Sequence, residues 1–103
     1  MLQLIEIRRR DIAELCRRFH VGRLEVFGSA ARGSDFDPAR SDVDLLVTYE
    51  PSTSRPTLEE YFGFREQLEA LFGRSVDLVM AGAIRNPYVR ADIERSRELV
   101  YEA

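Results

Sequence analysis

The chain has 103 residues, 45% of them hydrophobic and 32% charged, with a formal net charge of −3. That length suits one domain, 1–103, with one core, and the composition excludes both a disordered tail and a membrane-embedded chain. A net acidic balance argues against general nucleic-acid binding, and charges early in MLQLIEIRRR argue against a secretory leader, so the expectation is a soluble cytoplasmic protein.

Residues 3–19 place Ile5, Ile12, Leu15, Cys16 and Phe19 on one helical face. Arg8, Arg9, Arg10, Arg17 and Arg18 then read as a solvated face, or a docking surface for an acidic partner. Gly22 is the expected helix stop, with His20 near the helix C-terminus. Residues 23–27 (RLEVF) alternate polar and apolar as a half-buried strand does. Gly28-Ser29-Ala30-Ala31-Arg32-Gly33 runs from that strand into a tight turn and a short helical turn, and residues 34–41 (SDFDPARS) read as a loop. Residues 42–49 (DVDLLVTY) form a second strand, apolar on both faces after its acidic start and hence central.

After a loop at 51–56, Thr57 is an N-cap with Glu60 as its capping-box partner. The helix that follows is expected to bury Leu58, Tyr61, Phe62, Leu68, Leu71 and Phe72 and to stop at Gly73. Residues 75–80 (SVDLVM) are a third strand. Asn86 and Pro87 open a last helix that turns Val89 and Ile93 inward. Residues 98–102 (ELVYE) either finish that helix or form a short edge strand, the strand being favoured, with Tyr88 and Tyr101 as packing residues or self-modification sites. The order α-β-β-α-β-α-β describes a small mixed α/β (α+β) domain, a sheet with flanking helices.

The composition narrows the chemistry. One cysteine and one histidine exclude a cysteine-rich zinc site and a helical zinc-protease motif, and Cys16 fits the core stripe. All fifteen basic residues are arginines, which excludes a P-loop lysine or a Schiff-base lysine. What remains is carboxylate chemistry. Asp42 and Asp44 project from one face of their strand, and Asp77 interrupts the next apolar strand. If those strands are neighbours, the three carboxylates can converge on one point. Two charges about 5 Å apart at an effective dielectric near 20 repel by roughly 3 kcal/mol. A hard cation such as Mg²⁺ turns that repulsion into a site shared with phosphate oxygens. Gly28 permits close backbone approach and Ser29 adds a hydroxyl donor, so metal carboxylates lie beside a phosphate cradle.

Gly28-Ser29, twelve residues, then Asp42-Val43-Asp44, with Asp77 on a later strand, resembles the polymerase-β-like nucleotidyltransferases. More narrowly, Gly28-Ser29-Ala30-Ala31-Arg32-Gly33 with Ser41-Asp42-Val43-Asp44 is similar to the minimal nucleotidyltransferase (MNT) antitoxins of HEPN/MNT toxin–antitoxin pairs. The resemblance implies that fold and transfer of AMP from ATP to a tyrosine hydroxyl of a cognate HEPN ribonuclease toxin. It also implies two Mg²⁺ ions on Asp42 and Asp44, with Asp77 completing one site and assisting deprotonation of the acceptor. Gly28 and Ser29 would cradle phosphate, and Arg32 would stabilise charge on the triphosphate. Two alternatives stand beside it: a catalytically silent antitoxin that neutralises by binding, and a small-molecule nucleotidyltransferase of aminoglycoside type. The expected partners are ATP and the toxin, in a hetero-oligomer, without direct nucleic-acid or membrane contact.

Overall fold

A computed structural model describes residues 2–33, 37, 42–51 and 55–103. The expected loop at 34–41, including Ser41, lies outside these residues except at Asp37 and so does the 52–54 part of the second loop. The elements in chain order are α1 (Gln3–Ile7), α2 (Arg9–Arg18), β1 (Val21–Phe27), α3 (Ser29–Arg32), β2 (Val43–Tyr49), α4 (Leu58–Phe72), β3 (Val76–Met80), α5 (Pro87–Ser96) and β4 (Glu98–Glu102). The sheet order is β3-β2-β1-β4. β1 is antiparallel to both β2 and β4, and β2 is parallel to β3. This mixed four-stranded sheet with flanking helices bears out the expected fold class, including β2 as an interior strand and β4 as an edge.

Residues paired across neighbouring strands share a sheet face, so the register sorts the side chains. Leu24, Val26, Val43, Leu45, Val47, Val76 and Leu78 face the main core, where they meet Ile5, Ile12 and Cys16 from α1 and α2 and Phe64, Leu68 and Phe72 from α4. Burial there pushes the Cys16 thiol up to about 12, with nearby Arg17 opposing. Phe27, Asp44, Leu46, Asp77 and Val79 face the other way. On that side α5 lays Ile93 against Phe27 and Leu46 in a second, smaller cluster.

Thr57 and Glu60 form the full capping box at the start of α4, Gly73 closes the helix in the left-handed conformation, and Asn86 caps α5 ahead of Pro87. Elsewhere the structure corrects the sequence. The single N-terminal helix is two, divided at Arg8. Gly22 is not the helix stop. α2 ends at Arg18 with Phe19 as its C-cap, His20 takes the positive φ of 61° that turns the chain, and Gly22 lies within β1 at a register shift.

In α4 the buried row is Phe64, Leu68 and Phe72, with Tyr61 and Leu71 beside it. Leu58 and Phe62 are 75% and 41% exposed rather than buried. Phe62 stands two residues before Phe64, about 200° round the helix, and Leu58 lies on its side four residues earlier. Phe62 packs under the Arg65 guanidinium instead, 5.0 Å from its ring centre. Val89, expected inward, is 38% exposed, and α5 contributes Ile93 to the small cluster. No helix among the described residues is long and apolar enough to cross a membrane.

Candidate active site

The carboxylates sit where β2 meets its two neighbours. Asp44 pairs with Phe27 of β1 on one side and with Asp77 of β3 on the other. The ladder therefore sets Asp44 and Asp77 side by side on the face opposite the main core. Asp42 precedes β2 and is exposed, while the Val43 amide donates to Ser75 O at 3.1 Å and holds the start of the strand against β3.

Asp44 is half-buried, and its carboxyl is pushed up to about 6. Burial is the main cause, followed by the charges of Asp77, Asp42 and Asp92, with Arg32 opposing. Each of the three expected acids thus belongs to one electrostatic neighbourhood. Among the described residues no three His, Cys, Asp or Glu side chains already stand close enough to form a metal-holding group. The ladder sets Asp44 beside Asp77, and Asp42 stands just before the start of β2.

Gly28 follows Phe27 and ends β1 with φ 69° and ψ −149°, a region essentially restricted to glycine. A Cβ there would stand 2.7 Å from Asp44 Oδ2, so the β1–α3 turn and the Asp44 carboxylate are in direct contact through the missing side chain. The turn is held from below, since Ala30 and Ala31 of α3 are buried in the main core. It is held from within by the Ala31 and Arg32 amides, both 3.1 Å from Gly28 O, and by the Gly33 amide, 2.7 Å from Ser29 O. Ser29 is half-buried beside it. This is the strand–turn–helix that the motif calls for.

Arg32, expected to face phosphate, donates to Asp92 of α5 at 3.0 Å. Asp92 and Ser96 were invisible in the sequence as parts of this site, because the contact that brings Ser96 to Gly28 spans 68 residues. Glu25 was hidden differently. The alternation of RLEVF marks it as solvent-facing, but α5 covers that face and Glu25 is 3% exposed. Arg97 grips it with two bonds, Nε to Oε2 at 2.8 Å and Nη2 to Oε1 at 3.2 Å, and Glu25 raises the Arg97 pKa further. A cavity of about 280 Å³ opens beside this pair over Leu46 and Thr48, on the same sheet face as Asp44. Tyr88 is 84% exposed, while Tyr101 is half-buried at the edge of the main core.

The donor set is made only of hard oxygens: carboxylates that repel one another, and a glycine turn pressed against them. That chemistry fits a divalent cation of the Mg²⁺ class, which favours carboxylate and phosphate oxygens and would offset the repulsion.

A family model for the nucleotidyltransferase domain matches residues 9–100. The protein adenylyltransferase MntA of Thermococcus cleftensis is 40% identical over 88 residues, 85% of this chain and 81% of that protein. A relative in Methanocaldococcus jannaschii, provisionally named protein adenylyltransferase MJ1379, is 34% identical over 99 residues, 96% of this chain and 94% of its own length. A solved structure described provisionally as a minimal nucleotidyltransferase superposes with a TM-score of 0.71 at 33% identity, covering 94% of this chain and 95% of that one. The same fold recurs in a toxin–antitoxin structure with AMP-PNP (TM-score 0.66, 16% identity, 92% of this chain and 73% of that one). It also recurs in tri-AMPylated Shewanella oneidensis HEPN toxin bound to MNT antitoxin (TM-score 0.64, 14% identity, 96% and 73%).

Proposed function

The chain belongs to the nucleotidyltransferase domain family, and from that premise we propose that it is an antitoxin protein adenylyltransferase. It acts in the cytoplasm as one minimal domain, transferring AMP from ATP to a tyrosine hydroxyl of a partner HEPN toxin with which it forms a hetero-oligomer. The observation that carries this reading is the half-buried Asp44, paired with Asp77 across β2 and β3 and pressed against the Gly28 turn. An isolated buried carboxylate is costly, and three acids bearing on one another serve no packing purpose.

In this reading Asp42, Asp44 and Asp77 would hold two Mg²⁺ ions, which would supply Lewis-acid stabilisation of charge on the phosphates. Gly28 and Ser29 cradle the triphosphate, the turn supplying close backbone approach and Ser29 a hydroxyl donor. Arg32 reaches the phosphates by exchanging Asp92 for them, a charge-assisted bond of similar strength. Asp77, on the strand beside the pair, takes the proton of the acceptor hydroxyl. Tyrosine titrates near pH 10 and is mostly protonated at neutral pH, so it needs that base to attack. Its oxygen then bonds to the α-phosphorus, the bond to the bridging oxygen breaks, and pyrophosphate leaves.

The support from relatives is that curated homologues of similar length are named protein adenylyltransferases and that structures of this fold occur in complexes with HEPN toxins. The test is co-expression with the partner toxin followed by intact-mass analysis. A toxin that gains adenylate with the wild-type chain and none with Asp44→Asn is the expected result. A toxin neutralised without any mass gain would mean that binding alone suffices.

A further inference from the structure

The sheet face that carries Asp44 is closed along one side by α5, and three residues of that helix reach toward the β1–α3 turn. Ile93 is buried against Phe27 and Leu46. Asp92 pairs with Arg32 of α3 at 3.0 Å. Ser96 Oγ, one helical turn beyond Asp92, accepts the Gly28 amide at 2.8 Å and donates its own proton to the Asp92 carbonyl at 2.6 Å.

The second of these bonds is ordinary for a helical serine, which often returns its proton to the carbonyl four residues back. The first is not local, since its partners lie 68 residues apart. The two together give the hydroxyl a direction. A serine hydroxyl has one proton; with that proton spent on Asp92, only lone pairs face Gly28, and the amide is held from a fixed side. The held residue is the least replaceable one in the turn, with φ 69° and an Asp44 oxygen 2.7 Å from where a Cβ would be. Any rotation of Gly28 changes the separation of Ser29 from Asp44.

Building on the nucleotidyltransferase reading, we propose that Ser96 is a positioning residue for the Gly28–Ser29 turn. It touches neither nucleotide nor acceptor. By anchoring the Gly28 amide to α5 it sets where the turn stands against Asp44, and so governs affinity for the triphosphate.

The test uses the whole chain, with AMP-PNP and Mg²⁺ as the probe and two readouts. Ser96→Ala is expected to weaken AMP-PNP binding by about threefold to tenfold in calorimetry, the effect of losing one hydrogen bond. In the ligand-free protein the Gly28 amide should exchange with deuterium about tenfold faster, because its opening is no longer opposed. Ser96→Thr keeps the hydroxyl and its bond to the fourth residue back, and should restore both. If Ser96→Ala does not fold, Ser96→Cys keeps the volume with a weaker acceptor and should show the same direction. Unchanged AMP-PNP affinity in the Ala variant, or failure of the Thr variant to restore it, overturns the positioning role. A wild-type chain that binds no AMP-PNP overturns the nucleotidyltransferase reading itself and this role with it, a result distinct from wild-type binding that Ser96→Ala leaves intact.

Discussion

Asp44→Asn should make the metal-free protein more stable, and only above a defined pH. In the folded chain the Asp44 carboxyl titrates at about 6 against an ordinary value of 3.8, chiefly because it is half-buried and secondarily because Asp77, Asp42 and Asp92 surround it. Below pH 4 both folded and unfolded chains carry the proton and the group costs nothing. Between 4 and 6 the folded chain retains a proton that the unfolded chain has released, so stability falls as pH rises. Above 6 both are ionised and the penalty is constant. At about 1.4 kcal/mol per unit, the shift from 3.8 to about 6 sets a ceiling near 3 kcal/mol. Solvent screening of a half-exposed group reduces that to about 1–2 kcal/mol.

Asparagine keeps the shape without the charge, so the variant should melt roughly 5–15 °C above wild type at pH 7.5 in EDTA for a domain of this size. The two should coincide near pH 4. Adding Mg²⁺ should raise the wild-type melting temperature and leave the variant nearly unmoved, since a cation offsets a repulsion that the variant has already lost. Melting curves followed by circular dichroism across this pH range read all three effects. A variant that melts with or below wild type at pH 7.5 in EDTA would refute the electrostatic account of the site.

Gly28→Ala should cost about 1–3 kcal/mol in urea unfolding, since its φ of 69° and ψ of −149° suit only glycine. The same variant should also lose AMP-PNP affinity, because its Cβ displaces the Asp44 carboxylate. Asp77→Ala should bind AMP-PNP and the toxin but transfer AMP about 10²- to 10⁴-fold more slowly, as expected for loss of a positioned base; quench-flow on the co-purified complex measures it, and a wild-type rate removes Asp77 from catalysis. Arg97→Ala should destabilise the fold by about 1–3 kcal/mol, less than a fully buried pair because Arg97 is partly exposed, by stripping the buried Glu25 of its two-bond partner. Leu58→Ser should change the urea midpoint by less than about 0.5 kcal/mol equivalent, since a residue 75% exposed buries little.

Local features were legible in the chain before any folding. Thr57, Glu60, Gly73, Asn86 and Pro87 fixed the ends of α4 and α5 because caps are satisfied within a few residues of themselves. Asp44 and Asp77 stood out as acids in apolar strands, an anomaly of composition that needs no coordinates, and their pairing in register followed once β2 and β3 proved to be parallel neighbours. Tertiary structure decided what depends on which element covers which face. Glu25 looked solvent-facing because alternation reports that a strand has two faces, not what lies over each, and α5 lies over that one. Phe62 and Phe64 are equally apolar, and only the docking angle of α4 on the sheet separates the exposed ring from the buried one. The clasp of Ser96 on Gly28 and of Asp92 on Arg32 joins residues far apart in the chain, where a serine or an aspartate carries no sign of its distant partner. Local signals come from bonds a segment makes with itself; packing joins segments whose sequences hold no record of each other.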